Sequence, residues 1–286
     1  MSATSNIDLL ALPALRDFPG TVSARLEALR ERSCARPVPA GWEAEFEGLL
    51  ASAVPMGEAV PTPAPVGEEN PCARYSELRV PRAGGRVVAG RLIVPEGICR
   101  PSERVPLVLM FHDAGRPVRG WHHMTRFCAL GYAVIALDGG RVAPDAVADA
   151  LPGLAADALA LARAGLSLPG VDPDRVCAWG EGLGGGLAVL VTAALGPRVA
   201  RCAVCNPLPA DRADVPAWLD AAVLARRVTS ELLVGCGLRD ELAPAEGQAA
   251  LANAAAGPAR LVFYPEHAHE RINEFENEAL RFLRLS

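Results

Sequence analysis

Between Arg175 and Leu195 the chain reads R-V-C-A-W-G-E-G-L-G-G-G-L-A-V-L-V-T-A-A-L, an apolar strand, a glycine-dense turn and an apolar helix. Few sequences suit that junction, because the backbone must turn sharply and start a helix close against the strand it has just left. In the G-x-S-x-G form of such a turn, a central serine sits on strained backbone with its hydroxyl exposed. Here the run is Gly180-Glu181-Gly182-Leu183-Gly184, so Gly182 stands where the serine would be. Glycine has no atom that can attack a carbonyl carbon. It does adopt freely the dihedrals that cost a residue with a side chain about 1–3 kcal/mol. The turn is comfortable for the fold and mute as a nucleophile.

The pattern on either side is that of a parallel α/β sheet. Glu77 to Val80 and Arg86 to Pro95 alternate around Ala83-Gly84-Gly85, as a β-hairpin does. Continuous apolar runs follow at Pro106–His112, Tyr132–Asp138, Arg175–Gly180, Arg201–Asn206, Glu231–Gly237 and Ala259–Pro265. Runs that do not alternate fit strands covered on both faces. Helical patterns separate them at Trp121–Leu130, Pro152–Ala164, Leu183–Leu195, Ala217–Arg227, Pro244–Ala256 and Glu270–Leu285. The expectation is a mostly parallel, doubly wound sheet opened by an antiparallel hairpin. Residues 1–54, with helical stretches at Val22 to Arg32 and Trp42 to Ala53, read as an N-terminal helical extension. Residues 55–74, rich in proline, read as an extended connector, and residues 75–286 as the main domain.

Composition removes several classes of function. The net charge is −5, so no basic field favours nucleic acid or an anionic membrane. No apolar run approaches the roughly 20 residues that span a bilayer, and no basic segment followed by an apolar one marks export, so a cytoplasmic protein is expected. All 28 basic residues are arginines. Without lysine, Schiff-base chemistry and the lysine-bearing phosphate loop are ruled out. Of the eight cysteines, Cys202 and Cys205 form one C-x-x-C with no second pair or nearby histidine to complete a zinc site. Reduced thiols and no metal are expected, and His112, His122 and His123 read as strand-end and helix-surface histidines.

In sheets of this kind, sites form beyond the carboxyl ends of the strands. The polar strand ends are His112-Asp113-Ala114-Gly115, Gly180-Glu181-Gly182, Gly237-Leu238-Arg239-Asp240 and Glu266-His267-Ala268-His269. The last three follow the order nucleophile turn, acid, histidine. On these stretches, together with F-C-A-L-G-Y-A-V-I-A-L-D (Phe127–Asp138) and Y-P-E-H-A-H-E (Tyr264–Glu270), the chain resembles the acetylxylan esterase and cephalosporin-C deacetylase group of α/β-hydrolases from about Arg86 onward.

The resemblance implies the α/β-hydrolase fold and hydrolysis of a small acetylated sugar or similar small-molecule ester. It implies no cofactor, and a homo-oligomer. By position, Asp240 is the acid of a catalytic triad, His269 its base, and Glu270 completes the family's His-Glu pair. The amides of Leu183 and Ala114 would be the oxyanion donors. The chain departs from the family at Gly182 for serine, Leu183 for glutamine, Asp113 for glycine and Ala114 for an aromatic residue. Asp138-Gly139-Gly140-Arg141 replaces an Arg-Gly-Gln element.

An esterase homologue with silenced or weak catalysis is the leading reading. An active ester hydrolase in which Glu181 or His269 activates water, and a non-enzymatic ligand-binding or scaffolding subunit, are its rivals. No serine lies between Ser167 and Ser230, Cys177 falls mid-strand and Thr192 mid-helix, so no nearby side chain replaces the missing one. Gly180-x-Gly182-x-x-Gly185 also matches the dinucleotide fingerprint G-x-G-x-x-G. It sits on the third long strand rather than the first, and the next strand ends in Asn206-Pro207 rather than an acid.

Overall fold

The structure, a computed structural model, describes residues 7–9, 20–66, 71–96, 104–114, 118, 120–140, 142–143 and 146–285. Cys99, Gly115 and Arg141 lie outside the described residues. The apolar runs form six parallel strands: β5 (Val105–Phe111), β6 (Ala133–Leu137), β7 (Val171–Glu181), β8 (Val199–Cys205), β9 (Glu231–Gly237) and β10 (Ala259–Tyr264). The hairpin is β3 (Ala73–Pro81) and β4 (Val87–Pro95), and β4 joins β6 antiparallel. This is the α/β-hydrolase fold, a large and mostly parallel sheet with helices on both faces.

Two strands were not evident from periodicity. Ile7–Leu9 (β1) pairs parallel to β10, and Val60–Pro63 (β2), within the proline-rich stretch, pairs antiparallel to β3. They close the two ends of a ten-stranded sheet ordered β1-β10-β9-β8-β7-β5-β6-β4-β3-β2. Three or four residues are too few for a readable alternation.

Although β5 is apolar throughout, its side chains still divide by the two-residue period. Leu107, Leu109 and Phe111 face one layer of the core, and Val108 and Met110 the other. The first layer packs under α4 (Val147–Leu166), α5 (Leu183–Leu195) and α7 (Ala245–Ala254). The second packs under α3 (Trp121–Cys128) and α8 (Asn273–Phe282). The N-terminal helices α1 (Gly20–Arg30) and α2 (Trp42–Ser52) add to the first layer through Leu29, Trp42, Phe46 and Leu49. No described helix is long and apolar enough to cross a membrane.

Cys202 and Cys205 fall on opposite faces of β8, one in each layer. Burial pushes the Cys202 thiol up to about 12 and that of Cys205 well above its ordinary value. Both are small apolar fillers rather than reactive thiols.

The stretch Ala217–Arg227, expected as one helix, is broken. It is a 3-10 turn at Ala217–Leu219, a single turn α6 at Ala221–Leu224, and a second 3-10 turn at Ala225–Arg227. Asp220 makes the break. Its extended backbone starts α6 afresh, and its buried carboxylate accepts hydrogen bonds from the amides of Ala222 (2.9 Å) and Val223 (3.3 Å).

Helix α5 is buried on all sides, so its own backbone must approach its neighbours closely. A Cβ on Gly184 would overlap the carbonyl oxygen of Phe111, the last residue of β5. That approach sets the first amides of α5 beside the turn that follows β5. Gly184→Ala is therefore expected to lower stability by about 1–3 kcal/mol through overpacking, read as a lower urea midpoint at unchanged slope. An unchanged midpoint would mean the junction has slack.

Candidate active site

The six parallel strands β5 to β10 end at one edge, and the turns after β5, β7, β9 and β10 bring four residues together: Asp113, Gly182, Asp240 and His269. The turn after β7 follows the expected shape. Gly182 has φ 53° and ψ −127°, a conformation glycine accepts and other residues resist. Its carbonyl receives the amides of Gly185 (2.9 Å) and Leu208 (2.9 Å), which pin the turn to the loop after β8.

Asp240 follows β9 and is buried. One carboxylate oxygen accepts the amides of Leu242 (2.9 Å) and Ala243 (2.8 Å), and the other meets Nδ1 of His269 at 2.7 Å. Two backbone donors and an imidazole fix this carboxylate. The acid and histidine named from the sequence are thus in contact.

On its far side, His269 meets a residue to which sequence reasoning gave no role. Its Nε2 lies 3.2 Å from Oδ2 of Asp113, while Oδ1 of Asp113 accepts the amides of Ala114 (2.8 Å) and Leu183 (2.9 Å). The two amides expected to receive an oxyanion converge on one oxygen, and that oxygen belongs to the protein. The same carboxylate occupies the space a nucleophile would need. A Cβ on Gly182 would overlap Oδ1 and Cγ of Asp113. The sequence signal was available in the paired departures at positions 113 and 182, an acid gained on one turn and a hydroxyl lost on the next. Asp113 and Leu183 are 70 residues apart, so only the fold shows that the two changes share one space.

Charges follow from this geometry. Burial pulls the His269 imidazolium down, but hydrogen bonds and charge from Asp113 and Asp240 outweigh it and lift it to about 9. Burial pushes the Asp113 carboxyl up, but His269 and the amides of Leu183 and Ala114 outweigh that and hold it below its ordinary value. Near neutral pH the site is carboxylate, imidazolium, carboxylate. Its excess negative charge rests at the N-terminus of α5, where the helix dipole favours an anion.

The remaining candidates are held elsewhere. Glu181 is buried and points toward His112, with Oε1 3.6 Å from Nδ1. His112 and His123 pack against the ring of Trp179 on the opposite side of the sheet from α5. Cys177 donates its thiol hydrogen toward the Leu283 carbonyl at 3.4 Å, Thr192 donates to the Ala188 carbonyl at 2.7 Å, and Ser167 caps the C-terminal end of α4. His267 and Glu270 bond each other at 3.0 Å on the exposed rim, outside the Asp240–His269 contact. Asn206 is a further positioning residue. It accepts the amide of Gly237 (2.9 Å) and donates to the Ala268 carbonyl (3.2 Å), tying β9 to the histidine loop. At the glycine fingerprint, the first helical amide already holds Asp113, and Pro207 and Leu208 pack on Gly185 and Gly186. A pyrophosphate would meet a fixed carboxylate there.

Comparison with known proteins agrees with the fold and with the last quarter of the chain. Residues 213–285, which include Asp240 and His269, match the family model described as acetyl xylan esterase (AXE1). The earlier resemblance to acetyl xylan esterases is borne out on this ground. Acetyl xylan esterase 1 from a Thermoanaerobacterium species superposes with a TM-score of 0.76 at 21% identity, over 90% of this chain and 97% of that one. An acetyl xylan esterase from a Paenibacillus species gives 0.77 at 16% identity, over 90% and 98%. A cold-adapted esterase from an Arctic intertidal metagenomic library gives 0.63 at 18% identity, over 78% and 97%. No curated protein matches the sequence.

A pH dependence follows from the raised His269. It binds its proton up to about pH 9 in the folded chain, against 6.5 ordinarily. A raised value gives stability that is complete below pH 6.5 and is lost as pH rises through 9. Asp113 works in the other window, its contribution being lost only as pH falls below its ordinary range. Calorimetric melting should therefore fall between pH 6.5 and 9, by about 1–2 kcal/mol once solvent screening is included. Asp113→Asn should flatten that slope. A melting temperature that rises over this range would contradict the ion-pair reading.

Proposed function

We propose that this chain is an acetyl xylan esterase-like protein that has lost serine-based deacetylation and keeps the acid–base half of the site. The observation that carries the reading is the Asp113 carboxylate seated on the amides of Ala114 and Leu183. Ester hydrolysis in this fold needs a nucleophile, a free imidazole to take its proton, and two donors for the developing oxyanion. Gly182 supplies no nucleophile, Asp113 engages both donors, and two carboxylates keep His269 charged. A direct water mechanism with His269 as base meets the last two obstacles as well.

The two substitutions are coupled by volume. A serine at 182 alone would overlap Asp113, so restoring the hydroxyl without removing the carboxylate gains nothing. A small acetyl ester such as p-nitrophenyl acetate tests this in four purified forms. The parent, Gly182→Ser and Asp113→Gly should all stay within about tenfold of background. Asp113→Gly/Gly182→Ser should exceed each single variant by at least about 10²-fold, the loss typical of removing one oxyanion donor being 10²–10³. Robust turnover by the parent that vanishes in His269→Ala would overturn the silenced reading in favour of a water-based esterase.

A further inference from the structure

The two described spaces beside Asp113 hold about one water each. A ligand-sized space of about 420 Å³ lies elsewhere, between the chain leading into β2 and the C-terminal end of α4. The two stretches that line it, 55–59 and 163–169, are described without a gap. Pro169 precedes β7 and Gly182 follows it. The space is therefore roughly 25 Å from the catalytic corner, allowing for the irregular register after Val171. Pro55, Ala59, Leu168 and Pro169 give it apolar walls, and Arg163 and Glu58 give it charge. Three large apolar side chains that the described surface exposes, Val54 (49%), Met56 (67%) and Val60 (58%), fall on the same approach to β2. Apolar exposure gathered beside a groove marks a surface built for contact.

Arg163 is held in place without being neutralised. Its Nη1 donates to the Leu50 carbonyl of α2 at 2.6 Å, and the residue is only partly exposed. Arg36, Arg82 and Arg126 are partly buried too, and each meets a carboxylate. Arg163 meets none among the described residues, although Glu58 lines the same space. A partly desolvated cation gains from an anionic partner. With Nη1 tied to α2, the edge formed by Nε and Nη2 is left to pair with a carboxylate through two parallel hydrogen bonds. We infer that this groove binds a medium-chain alkyl carboxylate, its head on Arg163 and its chain along Leu168, Pro169, Pro55 and Ala59. One arginine, with Glu58 and the carbonyl end of α4 close by, suits a monoanion and opposes a phosphate dianion. The described walls offer an aliphatic surface and no ring on which a sugar could stack.

Titration calorimetry of the whole chain with octanoate near neutral pH should show one saturable site. 1-Octanol, the same chain without the charge, should bind at least about tenfold more weakly, the loss typical of a hydrogen bond to a charged group. From hexanoate to decanoate affinity should rise by up to about fourfold per methylene. Arg163→Gln should bring octanoate down to the level of 1-octanol, and Arg163→Lys, which keeps the charge, should recover part of the difference. A diazirine-bearing octanoate locates the site in the parent and needs no variant to fold. Trypsin releases Ala164–Arg175 and Ser33–Arg74, which carry the two walls. Those peptides should take the label and lose it to excess octanoate. Four results would each overturn the proposal: no saturable binding, equal binding of octanoate and 1-octanol, undiminished binding by a folded Arg163→Gln, or label confined to other peptides such as the one bearing Asp113.

Discussion

One carboxylate organises this site. The N-terminus of α5 and a histidine anchored on Asp240 together make a strongly anion-seeking corner, whatever occupies it. With no side chain at Gly182, that corner would be left with buried donors and no partner, at a cost of about 1–3 kcal/mol per unsatisfied group. Asp113 satisfies Leu183, Ala114 and His269 at once. The benefit is mutual, since a half-buried carboxylate without His269 and the amides would be driven toward its neutral form. Gly182 and Asp113 are best regarded as a single change, because the carboxylate stands where a side chain on 182 would have to be.

The scaffold makes such an exchange affordable. Asp113 reaches the helix because β5 and α5 approach to backbone contact at Gly184, and the turn after β7 is held from outside by Leu208. Asn206 links the ends of β8 and β9 to the loop that carries His269, so the base does not rely on Asp113 for its place. The acid–base half of the site is braced by the sheet, while the nucleophile half is a matter of two side chains. Chemistry can therefore change at 113 and 182 without disturbing the core.

The same division explains what the sequence disclosed. Apolar runs long enough to span the sheet, such as Val105–Phe111 and Glu231–Gly237, announced its parallel core, because burial on both faces leaves no other composition. Ile7–Leu9 and Val60–Pro63 were silent, being edge pairings of three and four residues fixed by partners far along the chain. Ala217–Arg227 misled because its helical spacing is real, yet Asp220 prefers capping to continuing. Asp240 and His269 were legible from chain order after successive strands. Asp113 was not. On its own turn it is only an acid in place of a glycine, and its partners lie 70 and 156 residues away.

How Asp113 closes the site turns on the difference between its two oxygens. Oδ1 accepts two backbone amides and is as fixed as the sheet that carries them. Among the described residues Oδ2 meets one partner, the His269 nitrogen 3.2 Å away, whose proton Asp113 and Asp240 both support. The proton on His269 is shared between two carboxylates, so the ring that would serve as a base is instead the cation that holds Asp113 over the amides of Ala114 and Leu183. One contact thus quiets the base and closes the oxyanion corner together, which is why a change at either of the two turns is felt at both.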